Sequence, residues 1–258
     1  MLDVTALRQM RPFIATPTYT GTMASSYVRG LLAFSNAAWT HGFPMVARFL
    51  DGEALITRAR NELVAEFMAD ERNTHLFWID ADIGFEPEAA LRLLLSGKDV
   101  VAGACPKKTE GWPAHGLAQA LPAGATQKDF EARHASFNLV PLPQTQIADA
   151  DGFVRVQEVG TGFMAIARRV LEAMAERYPD LSYVDTSPAA NPAWQRYRFF
   201  DTGVDAQTRA YVSEDFAFCR RWRAMGGEVW VDTQSDLSHT GAKIYRGNFL
   251  NSLGESAG

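Results

Sequence analysis

Leu76-Phe77-Trp78-Ile79-Asp80-Ala81-Asp82 is a run of bulky apolar residues that breaks into two carboxylates spaced i and i+2. The run reads as a buried strand, and its end brings both acids to the edge of a sheet. A loop leaving that edge can turn both carboxylates toward one point. Such a pair suits a hard divalent cation, which prefers oxygen ligands and also holds phosphate oxygens.

Working outward, residues 11–19 (Arg11-Pro12-Phe13-Ile14-Ala15-Thr16-Pro17-Thr18-Tyr19) read as a first strand that breaks into a loop. Tyr27, Leu31, Phe34 and Ala38 recur at helical spacing and predict a helix over 24–41. Met45 to Leu50 reads as a strand. Ile56 to Met68 reads as a helix with Leu63, Val64, Phe67 and Met68 on one side. Pro87 suits a first helical turn, Gly97 closes that helix, and Asp99 to Ala104 is the next strand. Strands alternating with helices predict an α/β fold, a Rossmann-like, doubly wound, mainly parallel sheet flanked by helices. Ligands of such sheets sit at the carboxyl ends of the strands, where Asp80 and Asp82, Thr16 to Tyr19, and the Pro106-Lys107-Lys108 loop converge.

Residues 109–152 show no period and are rich in Pro, Gly, Ala and Gln, so a long, partly mobile loop region over the crevice is expected. Val154 to Val159 alternates as a strand, Gly160-Thr161-Gly162 is a turn, Phe163 to Ala167 a strand and Arg168 to Arg177 a helix. Residues 179–208 read as irregular. Ser213 is placed to cap a helix running to Met225 and ended by Gly226-Gly227, and Glu228 to Val231 reads as the final strand. Residues 251–258 read as a frayed tail.

The net charge of −5 lacks the basic excess of a general nucleic-acid binder, so no nucleic-acid partner is expected. Cys105 and Cys219 have neither metal-site spacing nor a disulfide framework, which fits a reducing, cytoplasmic setting. No signal peptide and no transmembrane segment are expected. Peripheral association with a membrane stays open.

Each chemistry-bearing piece has a bland reading beside the functional one. Asp80 and Asp82 also suit a loop in which acids cap turns. An EF-hand is excluded by Gly84 and Leu91 at its fifth and twelfth positions. A dehalogenase-type phosphotransfer motif would lie on the first strand, not the third. Glu214 and Asp215 in a first helical turn are favoured by the helix dipole alone, by about 0.3–1 kcal/mol. Functionally, one of them is a general base beside the crevice. His239 is a candidate third ligand for the ion of Asp80 and Asp82. Of Arg58 and Arg60, two apart on a helix and therefore on different faces, one is expected to clamp phosphate. One of Lys107 and Lys108 is expected to reach phosphate too. Phe216, Phe218 and Trp222 are expected in the core.

Taken in order, these pieces resemble the GT-A glycosyltransferases, nucleotide-sugar-dependent enzymes, and in particular inverting, family-2-like members. Residues 14–19 resemble the nucleotide-contacting first strand, Asp80-Ala81-Asp82 the metal-binding Asp-x-Asp motif, residues 160–169 the glycine turn and strand facing donor and acceptor, Ser213-Glu214-Asp215 the Glu-Asp motif, and His239-Thr240-Gly241 the carboxyl-terminal metal ligand. The resemblance implies one GT-A catalytic domain, with a nucleotide-sugar half over 1–108, a variable region over 109–152 and an acceptor and catalytic half over 153–250. It implies Mn²⁺ or Mg²⁺ on Asp80, Asp82 and His239. The donor would contact Thr16, Pro17, Tyr19, Arg58, Asp80, Ala81, Lys108 and Gly162. No acid directly follows the first strand, which gives the base-reading role to Asp51. Asp215 would act as base, with Glu214 beside it. A sugar would pass from a nucleoside-diphosphate sugar to a hydroxyl of a glycan, lipid-linked or other acceptor, with inversion. Two other readings stay open: a metal-dependent phosphohydrolase or nucleotidyltransferase on the same acids, and a non-catalytic nucleotide- or carbohydrate-binding module.

Overall fold

The computed structural model describes residues 5–110, 124–126, 129–131, 135–143, 148–187, 190–247 and 249–252. Its first half alternates as the sequence predicts, with the short β4 as an addition: β1 (Pro12–Thr18), α1 (Ser25–His41), β2 (Val46–Asp51), α2 (Ile56–Ala69), β3 (His75–Ile79), β4 (Ile83–Gly84), α3 (Pro87–Leu95) and β5 (Val100–Gly103). Gly42 takes φ +75° at the end of α1, where its N–H closes onto the carbonyls of Ala38 and Trp39.

Strands β6 (Pro106–Glu110), β7 (Ala135–Phe137) and β8 (Leu139–Pro141) follow, then β9 (Phe153–Val159), β10 (Phe163–Ala167) and α4 (Arg168–Arg177). Two small antiparallel pairs come next, β11 (Ser182–Tyr183) with β12 (Arg196–Tyr197) and β13 (Gly203–Val204) with β14 (Tyr211–Val212). Helix α5 (Glu214–Ala224), β15 (Val229–Asp232), β16 (Leu237–Thr240), β17 (Ile244–Gly247) and the short α6 (Phe249–Ser252) complete the described chain. The rest of the expected tail, 253–258, lies outside the described residues.

The main sheet has eight strands in the order β2-β1-β3-β10-β5-β15-β9-β8. Strands β1, β2 and β3 are mutually parallel, as are β5 and β15, whereas β10 lies antiparallel between β3 and β5, and β9 antiparallel to β15. Alternate side chains of each central strand enter opposite layers. Leu76 and Trp78 of β3 pack with Leu63 and Phe67 of α2, Met174 of α4 and Phe218 of α5. Phe77 and Ile79 pack with Phe34 of α1 and Leu93 of α3. Apolar side chains thus cover both faces of β3, which is why its sequence is a continuous apolar run and not an alternating one.

The mainly parallel α/β sheet stands as expected, and four details change, the first being that residues 179–208, read as irregular, include the short strands β11, β12 and β13. The two reversed strands were not expected in a doubly wound sheet, because an apolar run carries no direction. Strand β15 is not the last: β16 and β17 form a separate three-stranded sheet with β4. The described parts of 109–152 include the end of β6 and all of β7 and β8, and Lys107 and Lys108 lie on β6 and not in a loop. Strands of three to five residues are too short to show a period. The core expectation holds fully for Phe218, which is buried and stacked on Phe200 at 4.6 Å, while Phe216 and Trp222 are only partly covered. Among the described residues no helix is long and apolar enough to cross a membrane.

Candidate active site at the carboxyl end of β3

The turn after β3 is held from three sides by backbone hydrogen bonds. The Asp80 N–H donates to the Gly162 carbonyl at 2.9 Å, the Ala24 N–H at the head of α1 donates to the Ala81 carbonyl at 2.8 Å, and the Thr240 N–H on β16 donates to the Asp82 carbonyl at 2.8 Å. The acids therefore sit where the glycine turn, α1 and the small sheet meet. Gly162 lets the chain close in: a Cβ there would stand 3.1 Å from Cys105 Sγ and 3.5 Å from Asp80 Oδ2.

Arg60 joins the distant pieces. Its side chain is 4% exposed, its Nη2 donates to Asp80 Oδ1 at 3.1 Å and its Nε to Glu214 Oε1 at 3.5 Å. The guanidinium lies over the Trp78 ring at 5.0 Å. Its Nη1 is buried with no hydrogen-bond partner among the described residues, and a buried donor left unmade costs about 1–3 kcal/mol. Arg58, the arginine assigned to the donor, is exposed and paired with Glu53 at 2.8 Å. Burial, which sequence does not reveal two residues apart, separates the two.

Asp82 has two partners. Lys108 Nζ donates to Oδ2 at 2.5 Å, and His239 Nε2 stands 3.3 Å from Oδ1. Burial pushes the Asp82 carboxyl up, but His239 and Lys108 outweigh it and hold it below the usual range. His239 Nδ1–H donates to the Pro106 carbonyl at 2.8 Å, which leaves Nε2 to face Asp82, where it donates to the carboxylate when protonated and offers a lone pair to a cation when not. A backbone carbonyl orienting the far nitrogen is the usual support of a metal-binding histidine. Two neighbouring ligands of an octahedral ion, each about 2.1 Å away, stand about 3 Å apart, so Asp82 and His239 fit as such a pair. Asp80 Oδ1 is turned instead to Arg60, and among the described residues no three acidic, histidine or cysteine side chains already surround one ion position.

Asp215 is buried at the start of α5. Ser213 takes the cap position, but its hydroxyl donates to Asp215 Oδ1 and not to the helix; the Phe216 N–H donates to the same oxygen at 2.7 Å. Asp215 Oδ2 accepts from Asn138 Nδ2 at 3.3 Å. Asn138 gave no signal in the sequence, because it lies in a stretch without period.

The remaining expected donor contacts form a neighbouring group at the ends of β1 and β2. Thr16 is buried and bonded to the Tyr27 hydroxyl at 2.7 Å, so it supports the wall. The Tyr27 phenol is pushed up to about 12 by burial, against the pull of Thr16 and with help from the charge of Asp80. Pro17 is half-buried and Tyr19 is exposed. The Gly52 N–H bonds to the Tyr19 carbonyl at 3.1 Å, and the Thr18 hydroxyl donates to Asp51, which brings Tyr19 and Asp51 together at the open edge.

No protein family and no curated protein matches the sequence. Solved structures with a similar arrangement include A197 from STIV, at TM-score 0.48 and 13% identity over 93% of this chain and 95% of that one. A 4-diphosphocytidyl-2C-methyl-D-erythritol synthase from Anaerococcus prevotii DSM 20548 has TM-score 0.34 and 10% identity over 69% and 81%. A glycosyltransferase involved in glycosylation of the major capsid of PBCV-1 has TM-score 0.29 and 9% identity over 64% and 63%. At such identities and scores they lend nothing to the reading of the site.

Proposed function

We propose that the chain is a metal-dependent, GT-A-like glycosyltransferase that moves a sugar from a nucleoside-diphosphate sugar to an acceptor hydroxyl, with inversion. The observation that carries this reading is Arg60, which ties Asp80 at the end of β3 to Glu214 at the start of α5 and keeps one buried N–H unspent. An orphan guanidinium donor between a metal-type acid pair and a base-type acid pair is what an anionic leaving group needs.

Asp82 and His239 would hold the cation, Mn²⁺ or Mg²⁺, with Asp80 at its border. Bound there, it would neutralise charge on the departing diphosphate. Lys108, now spent on Asp82, becomes a phosphate donor once Asp82 has another cation to bind. Arg60 offers Nη1 to a phosphate oxygen while Asp80 and Glu214 fix its plane. Asp215 has Oδ1 filled by two donors and keeps acceptor capacity on Oδ2, where it takes the proton of the attacking hydroxyl. The base reader is Asp51, with Tyr19 beside it.

The test is a thermal-shift series of nucleoside diphosphates and nucleotide sugars with and without Mn²⁺, since a ligand that binds only the folded state stabilises it by mass action. A metal-dependent shift with one nucleoside diphosphate, followed by its release from the matching sugar donor in the presence of an acceptor, is expected. No shift with any of them overturns the reading. Release of inorganic phosphate or pyrophosphate instead would assign a phosphohydrolase or nucleotidyltransferase, and retained anomeric configuration would remove the base role of Asp215.

A further inference from the structure

Asp215 is held by contacts that cross three separate parts of the chain. Asn138, in the bend between β7 and β8, donates its side-chain amide to Asp215 Oδ2 at 3.3 Å. Its backbone is pinned on both sides: its N–H bonds to the Cys105 carbonyl at 3.4 Å, and its carbonyl accepts from the Gly160 N–H at 2.8 Å. Gly160 has no left-handed backbone angle that would demand glycine. Yet a Cβ on Gly160 would overlap Asn138 Nδ2 and approach its Cγ at 3.1 Å and its Cβ at 3.3 Å. The space beside Gly160 is therefore filled by the amide that reaches Asp215.

We propose that Asn138 is the positioning residue of Asp215, and that Gly160 is glycine in order to leave room for that amide. The proposal rests on the reading of Asp215 as the proton acceptor and adds what sets its orientation. The carboxylate is anchored at both oxygens, Oδ1 by the Ser213 hydroxyl and the Phe216 N–H and Oδ2 by Asn138. Without the amide, Oδ2 loses its only protein donor among the described residues, and the carboxylate is held on one side only. The charged neighbours are otherwise engaged: Glu214 with Arg60, Glu158 of β9 with Arg220, while Cys219 a turn along α5 is a buried thiol that feels the charge of Asp215.

The closest clash at Gly160 falls on the amide nitrogen at the far end of the Asn138 side chain, with Cγ and Cβ next, so a methyl group there displaces the amide and presses on the bend that carries it. Gly160→Ala should then act on Asp215 as Asn138→Ala does, and the two should not add. The experiment compares the unaltered protein, both single variants and the double variant by carbon-13 NMR titration of aspartate carboxyls, with Asp215→Asn to assign the resonance. Removing a donor disfavours the ionised form. The Asp215 midpoint is expected to rise by about one pH unit in each single variant, the scale of one hydrogen bond to a charged group, and to rise no further in the double. An unchanged midpoint in Asn138→Ala, or a further shift from Gly160→Ala in its background, overturns the proposal. If Gly160→Ala does not fold, Asn138→Ala alone decides.

Turnover supplies a second readout. The acid limb of the kcat/KM profile should move with the NMR midpoint, and kcat should fall about tenfold with donor KM unchanged. A limb that stays in place while the midpoint moves overturns the positioning role. A protein that turns over no nucleotide sugar sinks the glycosyltransferase reading, and the titration still decides the Asn138 contact.

Discussion

Arg60→Met separates the binding role of the arginine from its structural one. Breaking a buried ion pair by removing one partner costs about 3–5 kcal/mol when the stranded charge stays dry. Here the stranded charges do not stay dry. The Asp80 side chain is 34% exposed and that of Glu214 14%, and the contact to Glu214 is long at 3.5 Å. The variant also removes the unsatisfied Nη1 and the desolvation of a guanidinium that is only 4% exposed, and methionine keeps most of the packing on Trp78. The expected net loss is about 1–2 kcal/mol, a fall in Tm of roughly 2–8 °C for a chain of this size. Affinity for the nucleoside diphosphate should fall about 10- to 100-fold, the loss of one charge-assisted donor. Differential scanning calorimetry gives the first quantity, and isothermal titration with Mn²⁺ present gives the second. Arg60→Lys should recover stability more than affinity, because one ammonium cannot serve two carboxylates and a phosphate at once. Unchanged affinity in a folded Arg60→Met protein would refute the assignment of Nη1 to the ligand.

Three further outcomes follow from single contacts. His239→Ala removes the imidazole beside Asp82 and should abolish the Mn²⁺-dependent part of the thermal shift, read also as lost Mn²⁺ binding by electron paramagnetic resonance; binding equal to that of the unaltered protein would exclude His239 as a ligand. Gly84→Ala should destabilise by about 1–3 kcal/mol, because the new Cβ would stand 2.5 Å from Ser238 Oγ and 2.7 Å from Ser26 Cβ; a neutral effect in chemical denaturation would show that α1 and β16 are not clamped on β4. His75 is pulled down to about 4 by burial first and then by Arg169, against Asp99. The unfolded chain, with an ordinary imidazole near 6.5, binds the extra proton between about pH 4 and 6.5. Stability should therefore fall as pH drops through that window, by up to about 3 kcal/mol, and His75→Gln should flatten that slope in urea titrations from pH 7 to 4.

The alternation of β1, β2, β3 and β5 with α1 to α3 was legible because the helices show their period and the strands between them are apolar runs bounded by turn residues, and Phe77-Trp78-Ile79 admits no solvent-facing position. The acid pair and the start of α5 stood out in the sequence because each lies where an element ends or begins, whereas His239, inside β16, stood out only through the order of pieces in the GT-A resemblance. The direction of β10 was not, because Phe163-Met164-Ala165-Ile166-Ala167 reads the same in either sense. The choice between Arg58 and Arg60 turned on which face of α2 meets Trp78, and Trp78 shows that only once α2 has packed on β3. Asn138 was invisible for a different reason: its meaning lies wholly in partners, Cys105, Gly160 and Asp215, that are distant in the sequence.

The reversal of β10 is also what completes the site. Phe163 pairs with Ile79 and Ala167 with His75, so β10 begins where β3 ends. The turn before it, Gly160-Thr161-Gly162, is thereby delivered to the acids, where Gly162 accepts the Asp80 N–H and Gly160 meets Asn138. Had β10 run parallel to β3, that turn would lie at the opposite end of the sheet, and neither Asp80 nor Asp215 would have its present support. The chain could still bury the same five apolar residues. Hydrophobic burial is therefore indifferent to the direction of β10, and what distinguishes the observed arrangement is the set of polar contacts at its start. Those contacts place two glycines with different tasks two residues apart, Gly162 admitting the chain beside Cys105 and Asp80, and Gly160 admitting an amide beside Asp215.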